Sequence, residues 1–102
     1  MPNKTWKASE RKVAKSFGTK RNSLSGSNSK VSSSDTTHDK LYIENKYRVK
    51  HTAITLWTDT KEKAKKENKT PVVCLCEKNK KGFWVLVHID DLKQVADEME
   101  AS

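Results

Sequence analysis

The spacing of hydrophobic and polar positions changes several times along the chain, and each change predicts an element. Across 6–17, Trp6, Val13, Ala14 and Phe17 fall on one helical stripe, with Glu10 near its edge and Lys and Arg elsewhere. Thr5 is the expected N-cap and Gly18 the expected stop. Residues 19–22 read as a short strand leading out. The stretch 23–34 is rich in serine, with Gly26, Asn28 and Lys30, and reads as a linker, either plainly disordered or a mobile loop that orders on nucleic acid. Two strands are expected at 35–38 and 41–50, around Asp39-Lys40. In the second, Leu41, Ile43 and Tyr47 point one way and Tyr42, Glu44, Lys46 and Arg48 the other, with Asn45 interrupting the apolar side. Residues 53–68 predict a helix with Ala53, Leu56, Trp57, Thr60 and Ala64 on one face, ended by Pro71. The apolar runs 72–76 and 83–89 flank a turn at 79–82 and predict a hairpin. Asp90 or Asp91 is the expected cap of a last helix running to about Met99, with Leu92, Val95, Ala96 and Met99 at helical spacing.

Composition limits what these elements can build. The chain has 102 residues, 33% hydrophobic and 33% charged, which suits one small domain with a small core. No apolar run approaches the ~18 residues of a membrane span, so no membrane partner is expected. Residues 1–20 are basic without an apolar stretch, so no secretory signal is expected. Cys74 and Cys76 are the only cysteines. They are too few for a disulfide framework or a four-thiolate zinc site, and they read as small buried hydrophobes in a reducing, cytoplasmic setting. Net charge is +8, and all of the excess lies in one half: residues 1–51 hold 12 Lys/Arg against 4 Asp/Glu, residues 52–102 hold 9 and 9. A nucleic acid held by the first half explains this, and a solvated basic face is the plainer alternative.

Candidate chemistry sits in the same half. Acid-x-Lys occurs five times, starting at Glu10, Glu44, Asp59, Glu67 and Asp91, a number that chance partly explains. Only Glu44-Asn45-Lys46 falls in an expected strand, where the period of two puts the acid and the lysine on one face, about 7 Å apart. A two-residue turn at Asp39-Lys40 would set His38 opposite Leu41 and Asp35 opposite Glu44, with Cβ atoms about 5 Å apart. Two carboxylates that close repel unless a cation lies between them, and a hard ion such as Mg²⁺ suits them, together with water and phosphate oxygens. Lys46 beside them would steady the attacking water or the charge developing on phosphorus. A surface cluster neutralised by Lys46 is the alternative. His38 reads as a turn or phosphate-contacting residue. His38, His51 and His88 lack ligand spacing toward the cysteines, and Ser25 has no His–Asp partner pattern. Trp57, Phe83 and Trp84 read as core or dimer contacts.

Four of these features occur in a familiar order: Glu10-Arg11 in the first helix, the stretch 21–26 (Arg-Asn-Ser-Leu-Ser-Gly), Asp35, and Ile43-Glu44-Asn45-Lys46 after Tyr42. In this the chain resembles the PD-(D/E)xK nuclease superfamily, and within it the archaeal-type Holliday junction resolvases and their phage-encoded relatives. The resemblance implies an α/β, restriction-endonuclease-like αβββαβ core over roughly 5–90, with a mixed central sheet flanked by helices, plus a C-terminal strand and helix. It implies a single nuclease domain over 1–102 with a mobile Ser-rich loop at about 23–34. Asp35, Glu44 and Glu10, with the main-chain carbonyl of Asn45, would bind Mg²⁺, for which Mn²⁺ would substitute. Lys46 would be the catalytic lysine. Arg11, Lys20, Arg21, Ser25, Lys30 and Arg48 would contact DNA. The implied activity is structure-selective hydrolysis of branched DNA by metal-activated water in a cytoplasmic homodimer (in the host cytoplasm if phage-encoded), without a small-molecule cofactor. A nicking or restriction-like endonuclease acting on duplex DNA keeps the fold and changes the substrate. A non-catalytic basic DNA-binding protein is the third possibility. Two departures stand out: Ser34 takes the place of the proline before the first acid, and Asn45 takes an apolar place.

Overall fold

The computed structural model describes residues 2–22 and 34–101. The serine-rich stretch 23–33, with Ser25 and Lys30, lies outside the described residues. The chain divides into two compact units, Met1–Arg48 and Val49–Ser102. Among the described residues there are three α-helices and one two-stranded antiparallel sheet, a mixed helix-and-strand architecture.

In the first unit, α1 spans Pro2–Ser16. It starts earlier than the expected Thr5 cap because proline, with φ already near helical, suits a first turn. Ala14 and Glu10 are buried and Ser9 and Val13 half-buried, while Lys7, Arg11 and Lys15 face solvent. Gly18, at φ 66, ends the helix as expected. Its N–H reaches the Lys15 carbonyl at 3.0 Å, and the Thr19 N–H reaches that of Ala14 at 3.0 Å. These two bonds satisfy carbonyls the helix would otherwise leave bare.

Residues 20–22 then run antiparallel to 35–37. The Thr37 N–H donates to the Lys20 carbonyl at 3.0 Å and the Asn22 N–H to that of Asp35 at 2.9 Å, around a single bridge between Arg21 and Thr36. The strands expected at 35–38 and 41–50 do not form a ladder. Side chains take the places that backbone groups would fill. The Ser34 hydroxyl donates to the Ile43 carbonyl at 2.8 Å and accepts from the Ile43 N–H at 2.9 Å. The Asp35 N–H reaches the same carbonyl at 2.9 Å, and the Asp35 carboxylate accepts the Asn45 N–H. Leu41, Tyr42 and Tyr47 stay exposed, so no apolar face fixes a strand register. At 38–41 the chain turns on His38, whose Nδ1 accepts the N–H groups of Lys40 and Leu41, both at 3.0 Å.

In the second unit, α2 spans Thr52–Lys66, with Lys63, Lys65 and Lys66 in the last turn, where cations suit the helix dipole. Asn68, at φ 55, closes it as Gly18 closes α1: its N–H bonds the Lys65 carbonyl at 3.2 Å and the Lys69 N–H that of Ala64 at 3.0 Å. The expected hairpin is present but shorter than its apolar runs. β1, Val73–Leu75, pairs with β2, Trp84–Leu86, in the register Val73 to Leu86, Cys74 to Val85 and Leu75 to Trp84. Asn79 and Gly82 take positive φ in the connection. A 3₁₀ turn, Ile89–Asp91, leads into α3, Leu92–Ala101. The cap is neither Asp90 nor Asp91, which lie within that turn. His88 caps the 3₁₀ turn itself, with Nδ1 accepting the Asp90 N–H at 3.1 Å.

The mixed central sheet of the resemblance is not assembled among the described residues; the hairpin is the sheet that forms. Cys74 and Cys76 are free and exposed rather than buried, and Phe83 and Trp84 are also exposed. The hairpin is too narrow to cover both of its faces: Val73 is buried, while its neighbour Cys74 points to the other face. Among the described residues no helix is long and apolar enough to cross a membrane.

Candidate functional site

The expected site residues all belong to the first unit, where Glu10 pairs with Arg21, Asp35 with Asn45 and Glu44 with Lys46. Glu10 projects from the buried side of α1. Its Oε1 accepts from Arg21 Nε at 2.6 Å, with side-chain exposures of 8% and 18%. The Arg21 guanidinium also lies over the Trp6 ring, 5.4 Å from its centroid, and Lys7 Nζ lies 5.6 Å from the same centroid. Glu10 and Arg21 were expected to serve a metal and DNA respectively; the structure gives them to each other. A buried carboxylate is costly unless a cation and hydrogen bonds compensate it, and Arg21 supplies both.

Asp35 is half-buried and directs its carboxylate at the Asn45 N–H. Asn45 in turn donates its side-chain amide to Ser9 Oγ at 3.2 Å, which ties the 43–46 segment to α1 one residue before Glu10. The odd polar residue on the expected apolar side is thus a tether between two elements. Ser34, where the resemblance leads one to expect proline, is almost fully buried and fastens Ile43. The Asn22 side chain donates to the Ser34 carbonyl at 3.1 Å and closes the set.

Glu44 and Lys46 meet at 3.0 Å, both well exposed. Such an exposed pair is worth little to stability, so each group can be drawn away by a stronger partner at small cost. Arg11, Thr19, Lys20 and Arg21 line a cleft of about 400 Å³. A neighbouring cleft of about 310 Å³ shares Thr19 and is lined also by Gly18, Thr37, His38, Asp39 and Lys40. Arg48 is exposed.

The donor chemistry fits a hard divalent ion only in part. Among the described residues no group of three or more His, Cys, Asp or Glu side chains is arranged to hold a metal. Of the three expected carboxylates, Glu10 is paired with Arg21, Asp35 accepts the Asn45 N–H and Glu44 contacts Lys46. Two carboxylates with water suffice for Mg²⁺, which keeps much of its hydration.

Sequence reasoning missed Ser9, Asn22 and Ser34 as the residues that fasten this region, and Trp6 as the ring beneath Arg21. One signal for the ion pair was present: Glu10 is the sole acid in a helix otherwise charged by lysine and arginine. Comparison with protein-family models, with curated proteins and with solved structures finds no match, so the chemistry rests on this geometry and on the motif order.

Proposed function

We propose that the chain is a Mg²⁺-dependent, structure-selective DNA endonuclease of the Holliday junction resolvase type, acting as a homodimer with a restriction-endonuclease-like core. The observation that carries this is the tether from Asp35 to Asn45 to Ser9, which supports a site made from the 34–36 segment, the 43–46 segment and α1. Asp35, Glu44 and the Asn45 carbonyl would hold the ion. Bound there, Mg²⁺ supplies a more acidic water and a Lewis acid for the phosphoryl oxygen. Lys46 offers its ammonium to the charge that grows on the phosphate oxygens, exchanging the weak Glu44 contact for it. In this reading Glu10 holds Arg21, and through it the 20–22 segment, and is not a ligand.

The test is Mg²⁺-dependent cutting of a four-way junction beside a linear duplex. Lys46→Ala and Glu44→Ala are each expected to lower the rate about 100-fold or more, the scale of losing one group that meets developing charge. Undiminished cutting by both variants removes the site assignment. Equal cutting of duplex and junction shifts the reading to a nicking or restriction-like endonuclease. A non-catalytic DNA-binding protein is the second reading, favoured by the engagement of Glu10 with Arg21. It predicts salt-sensitive binding without turnover, and DNA affinity equal or higher in Glu44→Ala.

A further inference from the structure

The flank of α1 beside its buried face carries Lys7, Arg11 and Lys15, spaced four residues apart and all exposed. Side chains at that spacing stand in a row, with about 6 Å between neighbouring Cβ atoms. No acid interrupts the row. The one acid of the helix, Glu10, is buried and taken by Arg21, and among the described residues Lys7, Arg11, Lys15 and Lys20 form no ion pair with a carboxylate. Arg11 also lines the cleft with Thr19, Lys20 and Arg21, so cations from two different elements converge there. Gathering like charges costs free energy unless an anion occupies the space between them. The helix end does little to repel such an anion, because the Ala14 and Lys15 carbonyls are already taken by the Thr19 and Gly18 N–H groups.

We infer that this row, continuing into the Arg11–Thr19–Lys20 cleft, is the track on which one strand of DNA lays its phosphodiester backbone. Lys7, Arg11 and Lys15 take successive phosphates, and Lys20 with the Thr19 hydroxyl takes the phosphate that enters the cleft. Arg21 acts from behind: held by Glu10 and stacked on Trp6, it fixes the direction of the 20–22 segment. The inference rests on DNA as the partner and does not depend on catalysis.

The experiment is fluorescence anisotropy with a labelled DNA junction in EDTA, where no metal-dependent cutting interferes. The triple variant Lys7→Gln/Arg11→Gln/Lys15→Gln is compared with Lys61→Gln/Lys65→Gln/Lys66→Gln on α2, which removes the same charge. The first should lose at least tenfold in affinity at low salt and about two to three units of the slope of log K against log[salt], near 0.9 per phosphate contact. The second should stay within twofold of the parent. Lys7→Arg/Lys15→Arg should bind as the parent does. Equal losses in the two triples, or no DNA binding by the parent chain, overturn the track. Displacement by heparin as effective as by DNA of equal charge also overturns it, leaving a general polyanion surface. A chain that binds through α1 but never cuts keeps the track and loses the nuclease.

Discussion

The two units stay folded by different means. In the first, the buried side chains are mostly polar: Glu10, Asn22, Ser34 and Thr36 lie inside with Ala14. Each polar one is held by directional bonds to backbone or to a partner charge. In the second, Val73 is the buried residue among those described, and a hairpin and two helices expose Ile54, Leu56, Phe83, Trp84 and Met99. The first unit also carries eleven Lys/Arg against four Asp/Glu, the second ten against nine. Apolar packing tolerates small shifts, whereas a network of buried hydrogen bonds fails when one member is lost. The region with the candidate chemistry therefore rests on directional bonds, each of which a single substitution can remove.

Substitutions break or sharpen this contrast. Arg21→Ala should be the most damaging, at about 3 kcal/mol, because it strands the Glu10 carboxylate inside the first unit. Amide hydrogen exchange should show the loss at 34–45 and spare 73–86. Equal loss in both regions would mean that the units unfold as one and would erase the contrast. Ser34→Ala should cost about 2 kcal/mol, since it leaves the Ile43 N–H without its bond and weakens that carbonyl's. The same exchange experiment reads it, and Ser34→Thr should retain part of the stability. Val73→Ala is the counterpart in the second unit, about 2 kcal/mol from lost burial, visible at 73–86. The smallest pair compares the two helix ends. Gly18→Ala should destabilise by about 1 kcal/mol through its positive φ, as nothing lies within 4 Å of an added Cβ. Asn68→Gly should stabilise by a few tenths, both read as shifts in thermal midpoint.

The sequence predicted the helices and the hairpin because their signals are local. The Trp6, Val13, Ala14 and Phe17 stripe, Gly18 as a stop and the two apolar runs around 79–82 need no knowledge of distant partners. The segment 41–50 misled for the opposite reason. Alternation of apolar and polar residues is written in the chain, but a strand also needs backbone groups free to pair, and Ser34 and Asp35 occupy those of Ile43 and Asn45. The candidate site divides the same way. Glu44 and Lys46 do meet, but not on the strand that the period of two implied; the two positions are close enough in the chain to touch without one. The pairing of Glu10 with Arg21 and the tether from Asn45 to Ser9 join residues far apart in sequence, and neither periodicity nor motif encodes such partners. The caps repeat the lesson: aspartates at 90 and 91 look like capping residues, yet both lie inside the 3₁₀ turn, and His88 before it accepts the Asp90 N–H.

The two histidines that hold backbone turns do so through the same ring atom. At His38 one ring nitrogen receives two backbone N–H groups, and at His88 the same nitrogen receives one. His38 also lines the cleft beside Lys40, so one ring both holds the 38–41 turn and forms part of that wall. A substitution at His38 would therefore reshape the cleft through the backbone of 38–41 as well as through the lost ring.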